Sequence, residues 1–237
     1  KAGTMLIDTL NPAPGGSVGP SADDYIRNQK MTRFIFRSVV TANPVESAGR
    51  GGRGVSEGRG GGRGASGGRE GRGGMAGAQV TPQQAATWTN AIQEIAESTR
   101  LGIPVIFKSN ARNHYERHAR FGINTEAGSM SEWPKEAGLA ATRDLALIGD
   151  FARTMGQEWR AIGLRGMYGY MADLITEPRW YRVHECFTED AGLAADIMTT
   201  LVANLQGGPV NPQTAVALTV KHFPGGGPQE LGLDPHF

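Results

Sequence analysis

After residue 80 the sequence alternates short apolar runs with longer runs whose apolar positions recur at helical spacing, and few folds satisfy that alternation. Thr81-Pro82-Gln83-Gln84 puts threonine at an N-cap, proline at the first helical position and glutamine at the third, the pattern of a capping box. Ala85, Trp88, Ile92, Ile95 and Ala96 follow on one helical face, and Gly102 stops the run. Ile103-Pro104-Val105-Ile106-Phe107 predicts a buried strand. A second helix is predicted over about 144–162, with Leu145, Ile148, Phe151, Ala152, Met155 and Trp159 on one face, and a strand from Leu164 to Met171. A third helix is predicted over about 190–205, with Leu193, Ala194, Ile197, Leu201 and Leu205, and a strand from Ala215 to Val220. Thr4 to Asp8 and Phe34 to Val40 also read as strands. Parallel strands need a crossover of a dozen or more residues, so this order implies an α/β fold with a parallel sheet under helices. Ligands meet such sheets at the carboxyl ends of the strands. That rule selects 108–118, 172–187 and 221–237, and the long polar stretch 108–134 has the character of a functional loop.

Glycine is concentrated rather than spread. Residues 49–74 hold 14 glycines, six arginines and two glutamates. With almost nothing apolar to bury, this run reads as a disordered Gly/Arg-rich surface loop at about 46–78. Arg-Gly repeats bind RNA in some proteins, but here no Phe or Tyr interleaves and acidic residues interrupt the run, so no nucleic acid is expected as a partner. Lys+Arg 24 against Asp+Glu 23 also argues against a generally basic nucleic-acid binder. A single cysteine, Cys186, excludes an internal disulfide and a multi-cysteine zinc site. No run of 18 apolar residues exists, so no membrane partner is expected. No signal peptide is recognisable after Lys1; a soluble protein, periplasmic or secreted, fits the sequence, which leaves the compartment open.

Lys221-His222-Phe223-Pro224-Gly225-Gly226-Gly227 follows the last predicted strand. A cation and an imidazole at a strand tip can hold a polar ligand; equally, they can be a lysine leaving a strand and a histidine satisfied by its neighbours. The glycines do not match a P-loop, which ends in Gly-Lys-Ser/Thr. Residues 173–190 crowd two arginines, two aromatics and several carboxylates at another strand tip. Sugar sites are built this way, and so are surface ion-pair networks, which are worth little. His114 and His118 stand four apart, a spacing that could present two metal ligands, but Arg112, Arg117 and Arg120 oppose a cation. No metal and no cofactor are expected. Cys186 near Arg182 reads as a buried packing residue rather than an activated thiol.

Residues 171–190, MADLITEPRWYRVHECFTED, followed by VALTVKHFPGGG at 216–227, resemble the N-terminal domain of glycoside hydrolase family 3. That family's pattern is Asp-Pro-Arg-Trp-Gly-Arg, then Glu-x-Phe/Tyr-Gly/Ser-Glu-Asp, then Lys-His-Phe. Lys-Ala-Gly-Thr-Met at the start, Ile103 to Phe107, Glu132-Trp133-Pro134 and Gly138-Leu139-Ala140-Ala141-Thr142 are similar to further family segments, so the resemblance spans nearly all the chain except 11–80.

The resemblance implies a (β/α)8 TIM-barrel-type domain of which about the first half to two-thirds is present. It implies that Arg182, Lys221 and His222 hold hydroxyls of the non-reducing-end sugar in the −1 subsite of a retaining, exo-acting β-glucosidase-like enzyme. Asn110 stands where the family usually has an Asp, Glu177 replaces an Asp, and Tyr181 replaces a Gly, where it narrows the pocket or moves the arginine. Retaining glycosidases need a nucleophile and an acid/base about 5–5.5 Å apart. The family nucleophile lies in a Ser/Thr-Asp-Trp/Tyr motif that this sequence lacks, so the reacting pair is expected beyond Phe237 and this chain alone is expected to be inactive. A barrel of this kind takes about 250 residues and eight strands. The chain therefore reads as part of a longer protein, or as one completed by a C-terminal chain or domain, acting on a β-linked glucoside or oligosaccharide. Two alternatives remain. A β-N-acetylhexosaminidase of the same family would use an Asp-x-His dyad, to which Asp234 and His236 are similar, two residues late and with Pro235 between. A non-catalytic sugar-binding fragment or scaffold would need no reacting pair.

Overall fold

The computed structural model describes residues 8–12, 18–19, 21–42, 44, 79–110, 129–207, 211, 213–223, 225–226 and 230–233. The Gly/Arg-rich tract, His114, His118, Asp234 and His236 lie outside these.

Five strands form one sheet: β1 (Asp8–Thr9), β2 (Arg33–Ile35), β3 (Ile106–Ser109), β4 (Gly166–Met167) and β5 (Ala217–Leu218). Every pairing is parallel and the spatial order follows the sequence. Each crossover therefore steps the same way, and right-handed crossovers stepping one way stack their helices on one face. Those helices are α2 (Pro82–Glu97), α4 (Leu145–Ala161) and α5 (Ala191–Gln206), with a short α1 (Ser21–Asp23) that runs into a π-helical turn at Asp24–Asn28, and a six-residue α3 (Glu136–Ala141).

The helix starts follow the sequence closely. Thr81 Oγ1 accepts the Gln84 N–H at 3.1 Å and Gln84 Oε1 accepts the Thr81 N–H at 2.9 Å, the reciprocal bonds of a capping box. Asp144 and Asp190 each accept two N–H groups from the first turns of α4 and α5.

Alternation along the strands divides the sheet in two. Phe34, Phe107 and Met167 are buried under the helices, where the Trp88 ring lies 5.1 Å from Phe107 and 5.9 Å from Phe36. Ile148, Phe151, Ala152, Met155 and Trp159 seal α4 on the same face, and Ile197, Leu201 and Leu205 seal α5. On the opposite face Lys108 passes over Gly166 to donate to Thr219 Oγ1 at 3.1 Å, and Ile106 and Tyr168 are exposed.

The ladders are shorter than the apolar runs suggest. The expected strand at 34–40 keeps ladder pairing only through Ile35, because the Arg37 and Ser38 N–H groups go to Asn11 Oδ1 and Val40 bridges Val80 instead. Conversely, Lys108 and Ser109, expected in a loop, complete β3.

Candidate functional site

The site forms where β4 and β5 end. Met167 pairs with Leu218, yet the next bridge joins Met171 to Lys221, so the β4 side carries one residue more than the β5 side over that interval. Such an extra residue re-aims the side chains that follow it. The Ala172 N–H donates to the Lys221 carbonyl at 2.5 Å and the Lys221 N–H to the Tyr170 carbonyl at 3.0 Å, which fixes the start of the Lys221-His222 segment beside β4. The Lys221 ammonium stands 4.3 Å from the centroid of the Tyr168 ring, a cation–π contact.

Arg182 belongs to a 3₁₀ turn at Tyr181–Glu185 and is 9% exposed. Its Nη2 and Nε donate to Glu185 Oε2 at 2.6 and 3.2 Å, and Nη2 also meets Met171 Sδ at 3.1 Å. Trp180 is buried beneath it, with the guanidinium carbon 6.0 Å from its ring centroid. Among the described residues Nη1 carries no hydrogen bond. Met171 thus links two of the expected groups: its sulfur touches Arg182 and its backbone pairs with Lys221.

His222 is held by a residue the sequence reading did not single out. Asp173 is buried, and its Oδ2 receives both the His222 backbone N–H at 3.1 Å and the ring Nδ1 at 2.8 Å. Its Oδ1 accepts the Gly226 N–H. The signal was available: Asp173 is the first charged residue after the apolar end of β4, and a histidine lies at the tip of the next strand. Asn110 is half-buried and directly follows β3.

Glu177 acts locally. It accepts from Arg179 Nε, Nη2 and backbone N at 2.7–2.9 Å, and those bonds hold its carboxyl down at about 2. Tyr181 is 54% exposed, while Arg182 beside it stays buried against Glu185. Among the described residues no cluster of three or more His, Cys, Asp or Glu could hold a metal, and no helix is long and apolar enough to cross a membrane.

The Cys186 thiol is fully buried and its Sγ meets the Arg182 carbonyl. Burial first, then the charges of Asp173, Glu185 and Glu136, push it from an ordinary 9.0 up to about 12, against a smaller lowering by Arg182. In the folded chain the thiol stays neutral while the unfolded chain ionises it, so stability should fall as pH rises from about 9 to 12. Near pH 8 native Cys186 should resist iodoacetamide and react at the rate of a free thiol only in guanidinium. Rapid labelling of the native protein would contradict that burial.

Taken with the fold, these contacts define an α/β protein whose parallel strands deliver two cations, an imidazole and a buried carboxylate to one end of the sheet. Residues 72–234 match the Glycosyl hydrolase family 3 N terminal domain, and the chain belongs to that family. Probable beta-glucosidase C of Aspergillus flavus is 39% identical over 154 residues, 65% of this chain and 24% of that protein. Periplasmic beta-glucosidase/beta-xylosidase of Dickeya chrysanthemi is 37% identical over 157 residues, again 65% of this chain and 24% of that protein. The chain therefore spans about a quarter of the length of these curated relatives. A glycoside hydrolase family 3 beta-N-acetylglucosaminidase from Paenibacillus sp. str. FPU-7 superposes with a TM-score of 0.66 at 20% identity, over 99% of this chain and 34% of that one. At that identity the likeness is one of fold.

Proposed function

We propose that this chain is the sugar-recognising part of a retaining, exo-acting β-glycosidase of β-glucosidase type, in which Arg182, Lys221 and His222 hold hydroxyls of the non-reducing-end sugar in the −1 subsite, with Asn110 as a further amide donor or acceptor. The observation that carries this reading is the linkage through the segment that follows β4: Met171 touches Arg182 and pairs with Lys221, and Asp173, two residues on, holds His222. Charged donors fixed before the ligand arrives suit a reaction whose transition state strengthens hydroxyl contacts. Sequential parallel strands with helices on one face support the view that these residues form the first half to two-thirds of a (β/α)8 barrel. The reacting carboxylates would be supplied outside the 237 residues, so turnover by this chain alone is not expected.

The test is calorimetric titration of the chain with an aryl β-glucoside and with the matching β-N-acetylglucosaminide. We expect the glucoside to bind and Lys221→Ala to weaken it roughly ten- to a hundredfold, the range for losing a hydrogen bond to a charged donor. Equal binding by wild type and variant would sink the site. The β-N-acetylhexosaminidase alternative rests on Asp234 and His236, which lie outside the described residues; preference for the N-acetylated ligand would favour it.

A further inference from the structure

The Asp173 side chain is fully buried while the His222 ring, its partner, is 39% exposed, so one edge of the imidazole is anchored and the other reaches toward solvent. Asp173 Oδ2 already receives the His222 backbone N–H at 3.1 Å, and Oδ1 receives the Gly226 N–H. Backbone N–H groups only donate, so both carboxyl oxygens are committed as acceptors. A ring nitrogen 2.8 Å from Oδ2 must then bring a proton of its own, since two lone pairs at that distance repel. A neutral imidazole carries one N–H, and which nitrogen bears it is set by the hydrogen bond the other edge makes.

We propose that Asp173 is a positioning residue that fixes His222 as the Nδ1–H tautomer and so presents the Nε2 lone pair to the ligand. This rests on the sugar-site reading and sharpens it: at this point the site demands a group that donates, a sugar O–H, and discriminates against a substituent that can only accept. Lys221 and Arg182 donate, so His222 supplies the complementary acceptor. A hydroxyl bound between a cation and the imidazole is then both acceptor and donor, which a fluorine or an ether oxygen cannot be.

The experiment is long-range ¹H–¹⁵N correlation NMR of the ¹⁵N-labelled chain at a pH where the imidazole is neutral, with His222 assigned by the signals lost in His222→Gln. The expected wild-type pattern has a protonated, pyrrole-type Nδ1 and an unprotonated, pyridine-type Nε2. A wild-type ring protonated at Nε2 overturns the proposal, with no variant required. Asp173→Ala removes both acceptor oxygens, so a folded variant should lose the wild-type pattern. Retention of the same tautomer by a folded Asp173→Ala protein would show that Asp173 does not set it. Glucose added to the wild type should then shift the Nε2 resonance, and one of the monodeoxy-fluoro glucoses should fail to. If the tautomer is as expected but no glucose derivative moves the signal, the carbohydrate reading fails while the Asp173 assignment stands.

Discussion

Replacing Trp88 with alanine should destabilise the chain by about 3–5 kcal/mol, the range for deleting a large buried aromatic. Trp88 is 1% exposed and packs α2 against β3 and the residue after β2: its ring lies 5.9 Å from Phe36 and 5.1 Å from Phe107. Removing it also removes two aromatic pairs, each worth about 0.5–1.5 kcal/mol beyond area burial. Urea unfolding followed by circular dichroism reads the change as a drop in midpoint at unchanged slope. Trp88→Phe is the informative companion. Among the described residues the Trp88 Nε1–H is buried without a partner, and an unsatisfied buried donor costs about 1–3 kcal/mol. Phenylalanine removes that donor while keeping most of the ring, so its cost should be well under half that of alanine. Equal losses in the two variants would mean that the indole group is bonded after all, or that packing there is loose.

Gly163→Ala should be nearly as damaging, at about 3 kcal/mol, for two separable reasons. Gly163 ends α4 with φ of +82°, a conformation that costs an L-residue roughly 1–2 kcal/mol. A Cβ there would also fall 2.2 Å from Thr89 Oγ1 and 2.6 Å from Thr89 Cβ. Thr89 cannot swing aside cheaply, because it is buried and its single hydroxyl proton is shared between the Ala86 and Ile162 carbonyls, 3.0 and 3.1 Å away. Overpacking of this kind costs about 1–3 kcal/mol. Gly102 separates the two effects: its φ is +59°, but a Cβ there meets only the Glu97 carbonyl at an ordinary 3.5 Å. Gly102→Ala should therefore show the backbone cost alone. If both alanine variants lose the same stability, the collision with Thr89 is not real.

The periodic parts of the chain were legible before any coordinates. The Thr81 capping box, the faces of α2, α4 and α5, and the parallel order of the strands follow from apolar spacing and cap residues within one element. What escaped depends on partners distant in sequence. The end of β2 is set by Asn11, which takes two backbone donors from 26 and 27 residues away. The short α3 has too few turns to show a period. At the site, the Arg-Trp and Lys-His segments were visible as charge at strand tips, but Asp173 was one carboxylate among several until its 2.8 Å contact with His222 singled it out. The assignment of Glu185 to Arg182 likewise needs the 3₁₀ turn, which no periodicity announces.

The uneven count between the Met167–Leu218 and Met171–Lys221 pairings makes length itself a structural constraint in this stretch. Strand neighbours point to opposite sides, so excising a single position from 168–170 would inject Leu174 into the space of Asp173 and leave hydrocarbon facing the imidazole. Every atom of Asp173 and His222 could survive such a deletion in the gene and their contact still be lost, because only the spacing would have changed.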